Sequence, residues 1–257
     1  MLNLNVPLLE IEIFLFIFLR VGAILMTLPV FGGAGIPAAF KIGLSFTIAI
    51  LLYPILQLKI PVELGVISLS LEMVSEIILG AIIGLSVRMM FAAVQLAGQL
   101  VGFQMGLAMA NVIDPSTSEQ LPLLGELNNI VAILIFLTIN AHHWFLLGVA
   151  DSFRLVPPFS FRFTHSLMEE LIAVAGNMFV IAVKVGAPVI AALFLMSVAF
   201  GVAARAVPQM NIFFVALPVQ ILVGLLFMSL SFPYFLSLMR TVFEGLQKTV
   251  FHMLSVM

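Results

Sequence analysis

Cysteine is absent from the 257 residues. Disulfides, thiolate metal sites and iron–sulfur clusters are therefore excluded. Charge is nearly as scarce: Lys, Arg, Asp and Glu make up 9% of the chain, against about 25% in an ordinary soluble domain. Its few basic residues never gather into a run, so there is no electrostatic footprint for nucleic acid and no polybasic patch for anionic lipid. Catalytic signatures are missing too: the chain holds no HExxH, no GxxxxGK[ST], no GxGxxG and no GxSxG. The adjacent His142 and His143 precede the single Trp, Trp144. Neighbouring helix residues point about 100° apart, which suits an interfacial anchor better than a shared metal. Neither an enzyme nor a cofactor is expected.

What the chain does have is apolar side chains, at 63% of its residues with a mean hydropathy of +1.28. No soluble globule of this size can hide so many, because its surface needs polar cover. The expected class is an all-α integral membrane protein, since lipid-exposed backbone must satisfy itself internally and alternating barrel strands are absent. A spanning helix needs about 20 mainly apolar residues. Uncharged runs occupy residues 42–58, 89–113, 127–150, 185–204 and 206–239, and another lies between Arg20 and Lys41. Residues 64–87 are apolar but carry Glu72 and Glu76. The spacing predicts six to seven apolar helical segments. Most are expected to be broken or tilted, because Pro54, Pro188, Pro208, Pro218 and Pro233 lie inside apolar runs. As one helix, the 206–239 run would reach about 51 Å, against roughly 30 Å of hydrocarbon. It must tilt, break, form a hairpin or leave the membrane. The N-terminus lacks the positive n-region and cleavage site of a secretory signal, so its first apolar segment is expected to be retained. No linker or low-complexity tract divides residues 1–257, which read as a single membrane-associated helical domain.

Gly98, Gly102, Gly106 and Ala110 recur every four residues and, on a helix, form one smooth stripe. Gln95 and Gln99 lie beside it, able to bond across helices. Close helix packing explains this pattern; so does a helix that must break or shift beside a pathway. Gly80 and Gly84 repeat the spacing. Met105 and Met109 flank the stripe, as core filler or as a soft seal. Asp114-Pro115 starts a turn or a helix N-terminus, and Ser116 with Glu119 fits a capping box. Arg20, Lys184 and Arg205 interrupt long apolar runs, and such charges are expected to be buried against protein or a water-filled cavity. Glu72 and Glu76 share one helix face. They can pair with Arg20 or Arg88 in a structural network, or bind a cation or relay protons. Pairing is favoured because no third ligand is identifiable.

Several stretches together resemble the R-subunit (FliR) family of the flagellar type III export gate, which is related to the export-gate T subunits of virulence injectisomes. They are Arg20-Val21-Gly22-Ala23, Leu28-Pro29-Val30-Phe31-Gly32, Ile36-Pro37 with Lys41, the run from Gly98 to Gly106, Asp114-Pro115, Phe200-Gly201-Val202-Ala203-Ala204-Arg205, and Pro208-Gln209-Met210-Asn211 with Phe213. The resemblance implies a non-enzymatic subunit that forms, with P and Q subunits, the gated conduit for unfolded export substrates. Its place would be the bacterial inner membrane, within the flagellar basal body. It implies a P-like part over about residues 1–170 and a Q-like part over about 171–257, with helical hairpins packed in a hetero-oligomeric gate. The implied partners are the P and Q subunits, the flagellar switch and export membrane components, the unfolded substrates and membrane lipid, with no nucleic acid. The loop that helps close the conduit would run from Gly106 to Pro122. Gly106 and Met109 would supply the bend and seal, and Asn111, Asp114, Pro115, Glu119, Gln120 and Pro122 would shape the loop. The competing function is a secondary transporter for a small solute or ion, using Glu72, Glu76, Lys184 and Arg205. It predicts repeat-related halves around a midplane site, and no such symmetry is visible.

Overall fold

The computed structural model describes residues 8–33, 35–58, 60, 65–107, 122–206, 209 and 212–257. Among the described residues there are eight helices and no strand. They are α1 (Leu8–Thr27), α2 (Pro29–Gly32), α3 (Ala38–Leu56), α4 (Val66–Gln104), α5 (Leu123–Thr138), α6 (Ala141–Leu155), α7 (His165–Ala206) and α8 (Ile212–Ser255). Several helix ends are set by local chemistry. Leu28 is extended, as the residue before a proline must be, and Pro29 opens α2. Lys41 Nζ donates to the carbonyls of Gly32 and Gly33, each at 3.0 Å, and so caps the end of α2. Asn140 adopts a left-handed conformation (φ 57°) between α5 and α6.

The helices depart from the expected segments in three ways. Arg88 does not separate two segments: α4 runs through it for 39 residues. The apolar run 127–150 is cut in two at Asn140, although no charge interrupts it. The prolines do not break their helices, because Pro54, Pro188, Pro218 and Pro233 all lie inside α3, α7 or α8. Apolar spans tolerate proline where neighbouring groups re-satisfy the freed carbonyls. Pro208 lies outside the described residues.

The chain, read from its sequence as one compact domain, divides into two units. The first comprises Met1–Met89, Asn140–Val174 and Glu244–Met257, and the second Met90–Ile139 and Ala175–Phe243. Three long helices, α4, α7 and α8, contribute residues to both. No linker marks the four boundaries in the sequence, because each falls within a helix or at the tight turn before α6.

In the first unit α1 packs on α3, with Phe14, Phe18 and Phe46 in edge and stacked ring contacts. Alpha-1 also crosses α4 at very short range. A Cβ on Gly80 would lie 2.6 Å from the Arg20 carbonyl oxygen, and one on Gly84 would collide with Thr27 Oγ1. A second cluster gathers Ile82, Leu167, Val174 and Met253. Thr164 starts α7 by accepting the Leu167 N–H, while its hydroxyl donates to the Val256 carbonyl.

The core of the second unit holds Val101, Met105, Leu124, Val189 and Leu193. Phe91, Phe136 and Phe243 form a ring triad with centroids 5.2–5.6 Å apart. Here α4 meets α5 backbone to backbone: a Cβ on Gly98 would lie 2.5 Å from the Leu124 carbonyl oxygen and 2.6 Å from the Gly125 Cα. Gly102 is different, since a Cβ there would make an ordinary 3.8 Å contact with the Leu124 side chain. The two glycines should therefore part company on mutation. Gly98→Ala is expected to destabilise the fold by about 1–3 kcal/mol through overpacking. Gly102→Ala should be neutral or gain up to about 1 kcal/mol of helix propensity. Thermal unfolding of the two variants in one detergent checks this; equal losses would refute the packing account.

Candidate functional site

Two places gather the polar and glycine residues that the sequence singles out. The first is a buried charge node in the first unit. Arg20 of α1 is fully buried, as is Glu76 of α4. The guanidinium grips the carboxylate with two bonds, Nε to Oε2 and Nη2 to Oε1, the latter at 2.7 Å. Nη1 donates to the Ser152 carbonyl at 2.9 Å, and the guanidinium lies 4.0 Å from the Phe153 ring centroid. Every face of the cation is thus answered: a carboxylate fork, a carbonyl and a π surface. Glu72, one turn before Glu76, accepts the backbone N–H of Phe159. Phe159 has φ 69°, a conformation that costs a non-glycine residue of order 1–2 kcal/mol. The bond to Glu72 and the edge contact of its ring with Phe16, centroids 5.7 Å apart, hold it there.

This geometry assigns the partners that the sequence left open. Glu76 pairs with Arg20, whereas Arg88 is exposed. Both carboxylates are engaged by protein donors. Ser152, Phe153 and Phe159 complete the node and carry no sequence signal of their own; only the need of Arg20 for further partners could have pointed to them. Lys184 and Arg205, expected to be buried charges, are exposed in this chain. Their long stems let the charged heads reach outward, and Arg205 also lies in the last turn of α7, where the helix dipole favours a cation.

The second place is the C-terminal end of α4 in the second unit. The helix stops at Gln104, so the small-residue stripe does not continue as one helix to Ala110. Gly106 has φ 78°. The Leu107 N–H bonds to the Gly102 carbonyl and the Gly106 N–H to the Phe103 carbonyl, both at 3.1 Å. That pair of bonds is the Schellman arrangement, which needs a left-handed residue where Gly106 sits. A side chain there would also collide with Leu217 of α8. Met105 is fully buried and lies against Gly224, where a Cβ would come 2.6 Å from Met105 Cγ. Gln95 and Gln99 are half-buried beside Gly125 of α5. Met109, Asn111, Asp114, Pro115, Glu119 and Gln120 lie outside the described residues. Pro122 stands directly before α5 and accepts the Glu126 N–H at 2.9 Å.

Alongside this end of α4 the second unit holds a cavity of about 270 Å³. Ala97, Val101, Val189 and Phe235 are among its apolar walls, and Asn128, Ser229 and Ser231 supply its few polar groups. Such walls suit an apolar guest rather than proton or charge transfer.

Four helices are long and apolar enough to cross a membrane, or five spans if α5 and α6 act as one bent pair. With the buried ion pair and the glycine crossings, this defines a polytopic all-α membrane protein. The chain belongs to the family described as bacterial export proteins, family 1, which matches residues 11–246. It is 36% identical to the flagellar biosynthetic protein FliR of Bacillus subtilis (strain 168), over 95% of both chains. It is 34% identical to the FliR of Pectobacterium carotovorum subsp. carotovorum, over 84% of this chain and 82% of that one. Against the FliR of Escherichia coli (strain K12) identity is 29%, over 92% of this chain and 89% of the relative.

The node makes a mutational forecast. Arg20→Ala leaves Glu76 buried and unpaired and is expected to cost about 3–5 kcal/mol. Arg20→Lys should recover little, since a lysine cannot reproduce the two-bond grip. The double change Arg20→Met with Glu76→Leu should recover most of the loss, because it removes both charges together. Protease resistance of the membrane-inserted variants reads the order; a double variant no better than Arg20→Ala would contradict it.

Proposed function

We propose that this chain is a non-enzymatic subunit of the flagellar type III protein-export gate. With P and Q subunits it forms the gated conduit that passes unfolded substrates across the bacterial inner membrane, within the flagellar basal body. The observation that carries the reading is the similarity to a flagellar biosynthetic protein over 95% of both chains. The outward surface supports it. Only 6% of the most apolar window of α8 is buried within the chain, and 11% of that of α3. Apolar faces of that extent require lipid or partner subunits.

In this reading α7 and α8 make up most of the Q-like part, about residues 171–257, and the preceding helices the P-like part, about 1–170. The segment from Gly106 to Pro122 closes the conduit. Gly106 turns the chain out of α4, Met109 seals, and Asn111, Asp114, Pro115, Glu119 and Gln120 shape the loop. Gly98, Gly102, Gln95 and Gln99 hold the α4 stem against α5. The energy for transport comes from other components of the apparatus, including the flagellar switch and export membrane proteins that the gate adjoins.

Native mass spectrometry of the tagged chain, co-expressed with its chromosomal neighbours, tests the assembly. One copy in a large complex with two other small membrane proteins is the expected result. A free monomer or a symmetric homo-oligomer would overturn it in favour of a solute transporter. For the loop, deleting residues 116–120 should leave the complex assembled but make it conduct ions in planar bilayers. An assembled, non-conducting deletion complex would remove the loop from the closure.

A further inference from the structure

The cavity of about 270 Å³ in the second unit has two kinds of wall. Its back is buried and apolar: Ala97 and Val101 of α4, Val189 of α7 and Phe235 of α8. Its front is a slot between α5 and α8, rimmed by the exposed Leu127, Leu225 and Phe232. Along α8 the lining runs from Leu225 to Phe235, about 15 Å of helix. The space is therefore long, and it opens outward past apolar side chains. Its volume is nearly twice the roughly 150 Å³ at which an engineered apolar cavity stays dry and takes up benzene.

Two polar groups at the mouth are unanswered. Asn128 of α5 is half-buried, and Ser229 of α8 is exposed at the rim, one turn from both Leu225 and Phe232. Neither has a hydrogen-bond partner among the described residues. Ser231, by contrast, donates its hydroxyl to the Met228 carbonyl at 3.2 Å. The mouth thus offers an amide and a hydroxyl, both able to donate to an acceptor. No lining residue among those described is charged, so that acceptor is a neutral one.

We propose that this slot holds one acyl chain of a glycerophospholipid, with the ester carbonyl of that chain at Asn128 and Ser229. A row of methylenes fits a long apolar space, and each methylene buried there favours the bound state. Water is a poor occupant, because a buried water needs about three polar partners and the back wall supplies none. A free fatty acid would bring a carboxylate to a mouth that has no cation to pair with it. An apolar side chain from another subunit would fill only part of the length and leave both donors without an acceptor. The ester meets both conditions, as an uncharged acceptor joined to a long apolar chain. The site does not depend on where α7 and α8 lie relative to the bilayer. A chain lodged among α4, α5, α7 and α8 travels with the protein as a structural lipid.

The test uses the full chain with whatever subunits co-purify, reconstituted in phosphatidylethanolamine that carries a diazirine on one acyl chain. After photolysis, the labelled peptides are mapped by mass spectrometry. Peptides covering 127–131 and 225–235 are expected to take the label. Val131→Phe, which fills the slot from α5, should lower labelling of 225–235 several-fold and leave the other helices and the subunit composition unchanged. Ala97→Leu, which fills the same space from the back wall, should give the same loss. Two results would overturn the proposal. If 127–131 and 225–235 carry no label, protein fills the slot or nothing does. If both filling variants leave the labelling unmoved, the lipid lies on the outer face of α8 and not in the slot. The double variant Asn128→Leu with Ser229→Ala reads the polar end. It should lower several-fold the label that survives a wash with unlabelled phosphatidylethanolamine before photolysis. Equal retention would show that these donors hold no ester, and the choice of a glycerophospholipid would fall.

Discussion

A guanidinium with no exposed surface must find partners for its donors inside the chain, and the first unit is arranged around that demand. Arg20 takes its carboxylate from α4 and its carbonyl and ring from the end of α6. The pair is no net source of stability by itself, since desolvating two charges offsets most of their attraction. Its effect is on geometry, because any other mutual placement of these helices would leave a charge stranded. The glycine at position 80 belongs to the same constraint. It lets α4 approach the backbone of α1 at the Arg20 carbonyl itself, one turn from Glu76. Close approach and ion pair are thus two expressions of one helix crossing. Adding a methyl group at position 80 would act on the salt bridge without touching either charge.

The second unit solves a similar packing problem without charge. Gly98 meets Gly125 across α4 and α5, and Gly224 of α8 receives Met105, just beyond the end of α4. Close backbone approach lets dispersion contacts hold helices together where lipid tails compete for every apolar side chain. Gly106 has a different task, for its left-handed backbone ends α4 and turns the chain away. One helix therefore carries a buried charge at its first third, a glycine seam further along and a fixed terminus.

Much of this was legible in the sequence, and the failures have physical causes. Glycines four apart announce a smooth helix face whatever the partner, so the packing at Gly98 and at Gly80 and Gly84 could be read directly. Arg20 in an apolar run announced a partner, and Glu76 was one of two carboxylates able to reach it. The identity of the rest was not readable, because a backbone carbonyl at Ser152 or an N–H at Phe159 exists at every residue. Charge was a poor guide to helix ends. Arg88 projects outward from an unbroken α4, whereas Asn140, which carries no charge, makes the turn between α5 and α6 through a backbone dihedral. The prolines misled for a related reason. A proline deletes one donor and crowds one carbonyl, and within a 44-residue helix such as α8 the remaining bonds carry the chain past it. Lys184 and Arg205 were expected to be buried, and both are exposed in this chain, because a long stem can carry a charge outward from an apolar helix face.

The length of α7 adds a requirement of its own. Alpha-7 has 42 residues, about 63 Å of helix against roughly 30 Å of hydrocarbon. Exposed apolar side chains run along it from Ile172, Phe179 and Val180 to Val198 and Val202, about 45 Å of helix. Crossing a bilayer at an ordinary tilt, it cannot keep all of them in lipid, and none is covered among the described residues. A free monomer would present the excess to water as an aggregation surface. The excess of apolar helix over bilayer thickness is in this way an argument for assembly, independent of any relative's name.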